Sequence, residues 1–389
     1  MYTIRDLKHH AIASTLFPAT TLGRAISKLG FVQADPIRSP ARAQDLILRH
    51  RVTGYRVDEI NRKYRSLQLE EDYLYAYGFM PLGTWRLLHP RVQRALTVAE
   101  QRVLDIVSSN KHLHPRELEA SLGKERETNA WGGYSKSTTR SLQKLHYLGL
   151  IRIAGREKGV KVYEKAAFQH DLIDPKERLR RLALLITSIL APVPYSSIRA
   201  ALRHLGHSAP HLQGRTKVVD AMLKAGEIES AEVDKVRYLW PAGRLLRKEP
   251  EEMVRFLAPF DPLVWDRRRF EYFWGWPYRF EAYTPPAKRK LGYYAMPLLW
   301  RAEVIGWVNA SKRGAELGIE AGFVSGKPPS GKAFQRAFEE ESERLRQFLL
   351  SAGDGDSAPA LEQGLKSVGE NSAQSRKGRL NLAQDDSPG

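Results

Sequence analysis

Apolar residues near the amino terminus recur at helical spacing. Ile4, Leu7, Ala11 and Ile12 share one face and predict an opening helix. A second helix is predicted from about Thr21 to Leu29, stopped by Gly30. Phe31-Val32-Gln33-Ala34-Asp35-Pro36 follows. Pro36 disfavours helix at Asp35, so this stretch reads as a strand or turn with exposed polar groups. Leu46, Ile47 and Leu48 then predict a short buried helix.

The clearest pattern lies in residues 101–170. Pro115-Arg116-Glu117-Leu118 starts a short helix, and Ser137 is placed to cap the next. Leu142, Leu145 and Leu148 give that helix one apolar face, while Lys136, Thr139, Arg140, Gln143 and Lys144 fall on or near the other. Gly149 ends it. Ile151 and Ile153, then Val160 and Val162, alternate as two strands about a Gly155–Gly159 turn. Helix, turn, helix and a basic-tipped hairpin make a winged helix. Residues 171–247 repeat the order: helices over Leu179–Leu190 and Ser197–Leu205, a third around Val218–Leu223, then strands at Ile228 and Val236–Trp240. This second hairpin carries Glu229, Glu232 and Asp234, which argue against phosphate contact at its tip, so the unit reads as partly architectural.

Residues 250–350 change character. Phe280–Tyr283, Gly292–Leu299 and Val304–Val308 predict short strands of a small barrel-like module, and Phe334–Leu350 a closing helix. Six of the eight tryptophans lie between Trp240 and Trp307, and Trp265, Tyr272, Phe273, Trp274 and Trp276 are expected in that module's core.

Charge narrows the class of partner. The 389 residues carry a formal net charge of +18 and a pI of about 9.9. Residues 351–389 hold four Lys/Arg against six Asp/Glu, so the excess lies in the body, and this polar tail is expected to be disordered. Clustered Lys and Arg gain free energy by releasing counterions from phosphates, which points to nucleic acid. No apolar run approaches the ~18 residues that a membrane span needs. The opening MYTIRDLKHH lacks a signal-peptide apolar region, and zero cysteines exclude disulfides and thiolate zinc sites; a cytoplasmic setting is expected.

The candidate contacts to DNA follow. Arg38, Arg42, Arg49 and Arg51 flank the Gln33–Asp35 step and grip phosphates, or else pair with Asp45, Asp58 or Glu59. Lys136, Arg140 and Lys144 lie on the second helix of the first winged unit, and Arg156 and Lys158 tip its wing. Arg267, Arg268 and Arg269 are too concentrated for a core, so some face solvent or DNA, and Lys288, Arg289 and Lys290 either tip a hairpin that enters a groove or form a plain exposed turn. Glu70, Glu71 and Asp72 form a carboxylate cluster that reads as a solvated helix start.

Several stretches together resemble the bacterial AlkZ/YcaQ-type DNA glycosylases. They are Val32-Gln33-Ala34-Asp35, Ala41-Arg42-Ala43 with Leu46, and the winged-helix units. The most specific are Pro259-Phe260-Asp261-Pro262-Leu263-Val264-Trp265-Asp266 with the following arginines, Tyr278–Tyr283 and Lys288–Tyr294. The resemblance spans about residues 1–350. It implies a mainly α chain with α+β character: three tandem winged-helix units and a small C-terminal β-barrel. The domains expected are 1–100, carrying the Gln-x-Asp step, 101–170, 171–247, the module at 250–350, and the tail.

The same resemblance implies a monofunctional enzyme that excises N7-alkylated guanine and unhooks interstrand crosslinks, with Gln33 and Asp35 as its catalytic pair. It also implies a bacterial, nucleoid-associated setting. Such a base is cationic and leaves readily. What remains is to stabilise the sugar cation and place a water, which Asp35 does as carboxylate and proton acceptor and Gln33 as orienting amide. Neither a metal nor a cofactor is required. The expected partner is double-stranded DNA carrying alkylation damage, and no membrane. The chain departs from the family at two places. His-His usually follows Ala-Arg-Ala, where this chain has Gln44-Asp45, and a histidine-bearing aromatic run is replaced by Leu69–Tyr77 with extra carboxylates. The competing reading is a non-catalytic winged-helix regulator, which would normally dimerise; this chain lacks a dimerisation helix and is expected to be a monomer. A nuclease would want clustered carboxylates for divalent ions, and only Glu70–Asp72 offers one.

Overall fold

Thr3 opens the first helix with a full capping box: its hydroxyl accepts the Asp6 N–H, and Asp6 reaches back to the Thr3 N–H. A computed structural model describes residues 2–91, 95–122, 126–128, 134–167, 173–243, 248–313 and 316–351. From 352 onward, the segment expected to be disordered lies outside the described residues. The chain forms two compact units. One holds the described residues up to His89 and those from 173 to 351; the other holds those from Pro90 to 167.

The first unit begins with α1 (Ile4–Thr15) and α2 (Leu22–Leu29), which Gly30 closes at φ +70°. Next come β1 (Val32–Gln33), α3 (Ala43–Leu48), α4 (Glu59–Arg62), β2 (Leu69–Tyr73), β3 (Tyr77–Pro81) and α5 (Leu82–Leu88). The strands make an antiparallel sheet in the order β1-β3-β2. All six residues of α3 are buried, as its apolar run predicts.

The second unit holds α6 (Val98–Ser109), α7 (Pro115–Leu122), β4 (Arg126–Thr128), β5 (Tyr134–Lys136), α8 (Ser137–Leu148), β6 (Ile151–Glu157) and β7 (Val160–Lys165). Leu142, Leu145 and Leu148 are the buried face of α8, and Ile151, Ile153 and Val162 that of the hairpin. Lys158 and Gly159 turn the hairpin at φ +48° and +82°.

The chain then returns to the first unit with α9 (Pro175–Leu190), β8 (Val193–Pro194), α10 (Tyr195–Ser208), α11 (Val218–Lys224), β9 (Ile228–Val233) and β10 (Val236–Pro241), sheet order β8-β10-β9. β11 (Val254–Phe256), α12 (Pro262–Trp265), α13 (Arg267–Trp274), β12 (Met296–Trp300), β13 (Glu303–Arg313), β14 (Glu316–Phe323) and α14 (Lys332–Leu350) complete it. No helix among the described residues is long and apolar enough to cross a membrane.

The architecture is therefore mixed α/β, and the C-terminal module corrects the expected barrel. Its four strands make an open antiparallel sheet, β11-β12-β13-β14, without closure. Phe280–Tyr283 forms a turn rather than a strand, and Pro286–Lys288 is a single exposed 3₁₀ turn, the second of the two readings for this stretch. Glu281 is the reason: its carboxylate accepts the N–H groups of Lys290, Leu291 and Gly292 and folds the loop onto itself. Of the aromatic set, Phe273 and Trp276 are core, whereas Tyr272 is 45% exposed. One apolar core joins both ends of the first unit. Leu7, Ala11 and Ile12 of α1 lie in one cluster with Leu263 and Val264 of α12, Phe270 and Phe273 of α13, and Leu299 of β12.

Candidate active site

β1 is two residues long, and its register fixes the Gln-x-Asp step. Val32 pairs with Phe79 and Gln33 with Gly78, and the Ala34 N–H extends the ladder to the Tyr77 carbonyl at 2.9 Å. Only glycine fits opposite Gln33. A Cβ on Gly78 would lie 2.3 Å from the Val32 oxygen, 2.6 Å from Phe31 Cζ and 2.9 Å from Gln33 Cα. Gly78→Ala is therefore expected to push β1 away from β3 and lower stability by about 1–3 kcal/mol, the range for overpacking. Urea denaturation checks this; an unchanged midpoint would mean that β1 shifts without penalty.

After β1 the chain turns. Asp35 Oδ1 accepts the Ile37 N–H at 3.0 Å, an Asx turn, while the Asp35 N–H donates to Gln44 Oε1 at 3.2 Å. A side chain of α3 thus fixes the backbone of Asp35. The expectation of exposed polar groups here is corrected: Gln33 is 7% exposed and Asp35 3%. Pairing with β3 and the clasp from α3 enclose them. Gln33 Oε1 has no hydrogen-bond partner among the described residues. Leaving a buried acceptor so costs about 1–3 kcal/mol, which favours any ligand that brings an O–H or N–H to it.

The carboxylates Glu70, Glu71 and Asp72 are a second correction. They lie in β2, not at a helix start, and all three are buried. Tyr77 donates its hydroxyl to Glu71 at 2.8 Å. Asp72 Oδ2 accepts the Trp85 indole N–H at 3.1 Å and lies 2.9 Å from His89 Nε2. Glu71 and Asp72 are thus tied to neighbouring side chains, and all three carboxylates are buried, not the open set that a nuclease would want.

Asp45, beside Gln44, accepts the Tyr55 hydroxyl at 2.8 Å and the Asp58 N–H at 3.0 Å. Burial outweighs these bonds and raises its pKa from 3.8 to about 6. The folded chain therefore holds this proton more tightly than the unfolded chain. The associated stability is full below about pH 4 and is lost as pH rises through about 6. Asp45→Asn should remove it. From pH 7 to pH 5 the wild type is expected to gain about 1 kcal/mol relative to Asp45→Asn, read from urea midpoints at the two pH values. Parallel pH profiles of the two proteins would contradict this account.

The flanking arginines divide. Arg51, with no exposed side-chain surface, makes two bonds to Asp261 at 2.8 and 2.9 Å and donates to the Thr15 and Ile47 carbonyls. Arg49 bonds Glu341 at 2.5 Å and the Phe256 carbonyl, with its side chain 4% exposed. Arg42 takes the intramolecular alternative, pairing with Asp58 at 3.0 Å. Arg269 is fully buried on the Leu190 and Pro262 carbonyls, and Arg267 bonds Val264 and Pro259 and lies over the Tyr278 ring. Arg49, Arg51 and Arg269 are thus corrected from phosphate contacts to internal braces. Guanidinium groups enclosed and bonded in this way do not reach an external duplex.

Other expected contacts stay at the surface. Arg38, Arg140, Lys158, Arg268 and Lys288 are exposed. Lys144 lies 5.2 Å over the Tyr147 ring, Arg156 is half-buried, and Arg289 donates to the Thr284 carbonyl and lies over Tyr293. Lys136 ends β5, and its side chain falls outside the described residues. The sequence reading missed Gln44 as the clasp on Asp35, Gly78 as the space for β1, and Asp261 as the partner of Arg51. The Asp261-Pro262 step signals the start of α12, but not the pairing with Arg51.

Two comparisons bear on this arrangement. The family described as DNA glycosylase AlkZ-like matches residues 26–348, a range that includes Gln33, Asp35, Gln44, Gly78 and Asp261. Among solved structures, the Streptomyces sahachiroi DNA glycosylase AlkZ is similar, with a TM-score of 0.59 at 14% identity, over 90% of this chain and 97% of that one. At that identity the likeness concerns the fold.

Proposed function

We propose that this chain, which belongs to the AlkZ-like DNA glycosylase family, hydrolyses the N-glycosidic bond of N7-alkylated guanine in double-stranded DNA, bulky adducts and interstrand crosslinks included. Asp35 is the group that offsets positive charge on the deoxyribose and accepts the proton of the attacking water. Gln33 orients that water. The observation that carries this reading is the buried Gln33 Oε1, a hydrogen-bond acceptor with no partner among the described residues, two positions from a buried carboxylate. A water donating to Gln33 meets that requirement, and a site with little solvent leaves the field of Asp35 weakly screened.

The burial also sets a condition. With Asp35 only 3% exposed, a sugar reaches it after the turn around residues 35–41 shifts, and duplex binding supplies the free energy. The α6–β7 and α9–β10 groups are read as winged helices that hold the duplex. Arg38, Arg140, Lys158, Arg268 and Lys288 contribute exposed charge, and the protein acts as a cytoplasmic monomer on chromosomal DNA.

The test uses a duplex with one N7-methylguanine, excess protein and alkali treatment. Strand scission that needs both alkali and Asp35 supports the glycosylase. Binding without scission leaves only a DNA-binding protein, and magnesium-dependent scission without alkali means a nuclease.

A further inference from the structure

The helix α10 presents Arg199 and Arg203 to solvent one turn apart, and Arg237 of β10 lies beside them. Tyr195 ties the group together: the Arg199 guanidinium lies 5.8 Å, and that of Arg237 5.6 Å, from its ring centre. Arg237 also donates to the Ser230 hydroxyl at 3.2 Å. The nearest acids are otherwise placed. Asp220 accepts the Tyr195 hydroxyl at 2.8 Å, and Glu232 sits opposite Arg237 across the β9–β10 ladder. Among the described residues no carboxylate forms an ion pair with Arg199, Arg203 or Arg237. Elsewhere in this unit Arg180 and Arg181 pair with Glu177, and Arg180 also with Glu227, so neutralisation is the local habit and these three depart from it.

We infer that Arg199, Arg203 and Arg237 form a phosphate-contacting surface of the α9–β10 group, used on the DNA backbone. The inference rests on the glycosylase reading for the identity of the ligand as duplex DNA. Three like charges fixed on a helix and a strand, two of them lying over one ring and none in an ion pair among the described residues, repel one another, a disadvantage that a polyanion reverses. Neighbours at i and i+4 stand about 5–6 Å apart, enough for one phosphate oxygen each. In the helix-turn-helix arrangement the helix before the recognition helix crosses the backbone, and α10 holds that place ahead of α11. The hairpin tip carries Asp234, so contact centres on the helix, with Arg237 the contribution of the hairpin. The unit is more than architectural.

The test is fluorescence anisotropy with an undamaged labelled duplex and the full chain, across 50–200 mM NaCl. Arg199→Ala/Arg203→Ala/Arg237→Ala should bind about tenfold or more weakly at 0.1 M salt. Its salt slope should fall by roughly 2–3, since each phosphate contact contributes about 0.9. The control is Arg5→Ala/Arg301→Ala/Arg336→Ala, which removes three exposed arginines already paired to Glu249, Glu252 and Glu340. Wild-type affinity and slope in the first variant overturn the inference. So does an equal loss in both variants, which would reflect net charge alone. Circular dichroism melting keeps misfolding apart from lost contact. Excision is not read here, so wild-type protein that binds through these arginines but releases no base would sink the glycosylase and leave this surface standing.

Discussion

Asp35→Asn slows release of N7-methylguanine by about 10²–10⁴-fold in single turnover, the contribution usual for a positioned proton acceptor. Affinity for the duplex stays near wild type. The substitution separates charge from shape. Asn keeps an oxygen for the Ile37 N–H, so the Asx turn that Asp35 makes at 3.0 Å survives, as does the clasp of Gln44 on its backbone. What is lost is the negative charge and the capacity to take a proton. At 3% exposure that charge acts through a medium much less polar than water, so its removal is felt strongly by a developing sugar cation. The measurement is alkali-dependent scission of the lesion duplex with protein in excess. An Asp35→Asn protein that releases the base at the wild-type rate would exclude this carboxylate from the chemistry.

Local pattern made part of this architecture readable. α1, α2, α3 and α8 follow from apolar spacing, and Gly30 marks the end of α2 at a left-handed φ. Local pattern failed where a partner strand decides the outcome. Leu69-Glu70-Glu71-Asp72-Tyr73 has charged residues where a strand was not expected, and becomes β2 because β3 pairs with it and Tyr77, Trp85 and His89 hold Glu71 and Asp72. Sheet closure is equally invisible to alternation, so a four-stranded open sheet and a small barrel give similar strings. Within the tryptophan-rich stretch lie two helix starts, Asp261-Pro262 and Asp266-Arg267, whose Asp side chains cap α12 and α13. At the site, the Gln-x-Asp step was legible only through family resemblance. Its support was not, because Gln44, Gly78 and Asp261 act through contacts that no spacing rule encodes.

Asp261→Asn destabilises the fold by about 3–5 kcal/mol, the loss typical when one partner of a buried ion pair is removed. Asp261 and Arg51 are 210 positions apart and both without exposed side-chain surface. Capping is not what is lost, since Asn at the head of α12 still offers an oxygen to the Leu263 N–H. The penalty comes from Arg51, left charged in the interior without a counter-charge: the Asn oxygen still accepts one guanidinium N–H, but an amide NH2 replaces the oxygen that accepted the other. A second substitution separates this cause from general disruption. Arg51→Met/Asp261→Asn contains no stranded charge and should recover part of the loss of Asp261→Asn, whereas two unrelated core defects would add. Urea unfolding of the three proteins checks it. The pair also reaches the site: Arg51 follows α3, α3 carries Gln44, and Gln44 holds the backbone of Asp35 at 3.2 Å. Excision should therefore fall with stability in Asp261→Asn and return in part with the double variant. A single variant within about 1 kcal/mol of wild type would mean that the interior around Arg51 is wetter than its burial indicates.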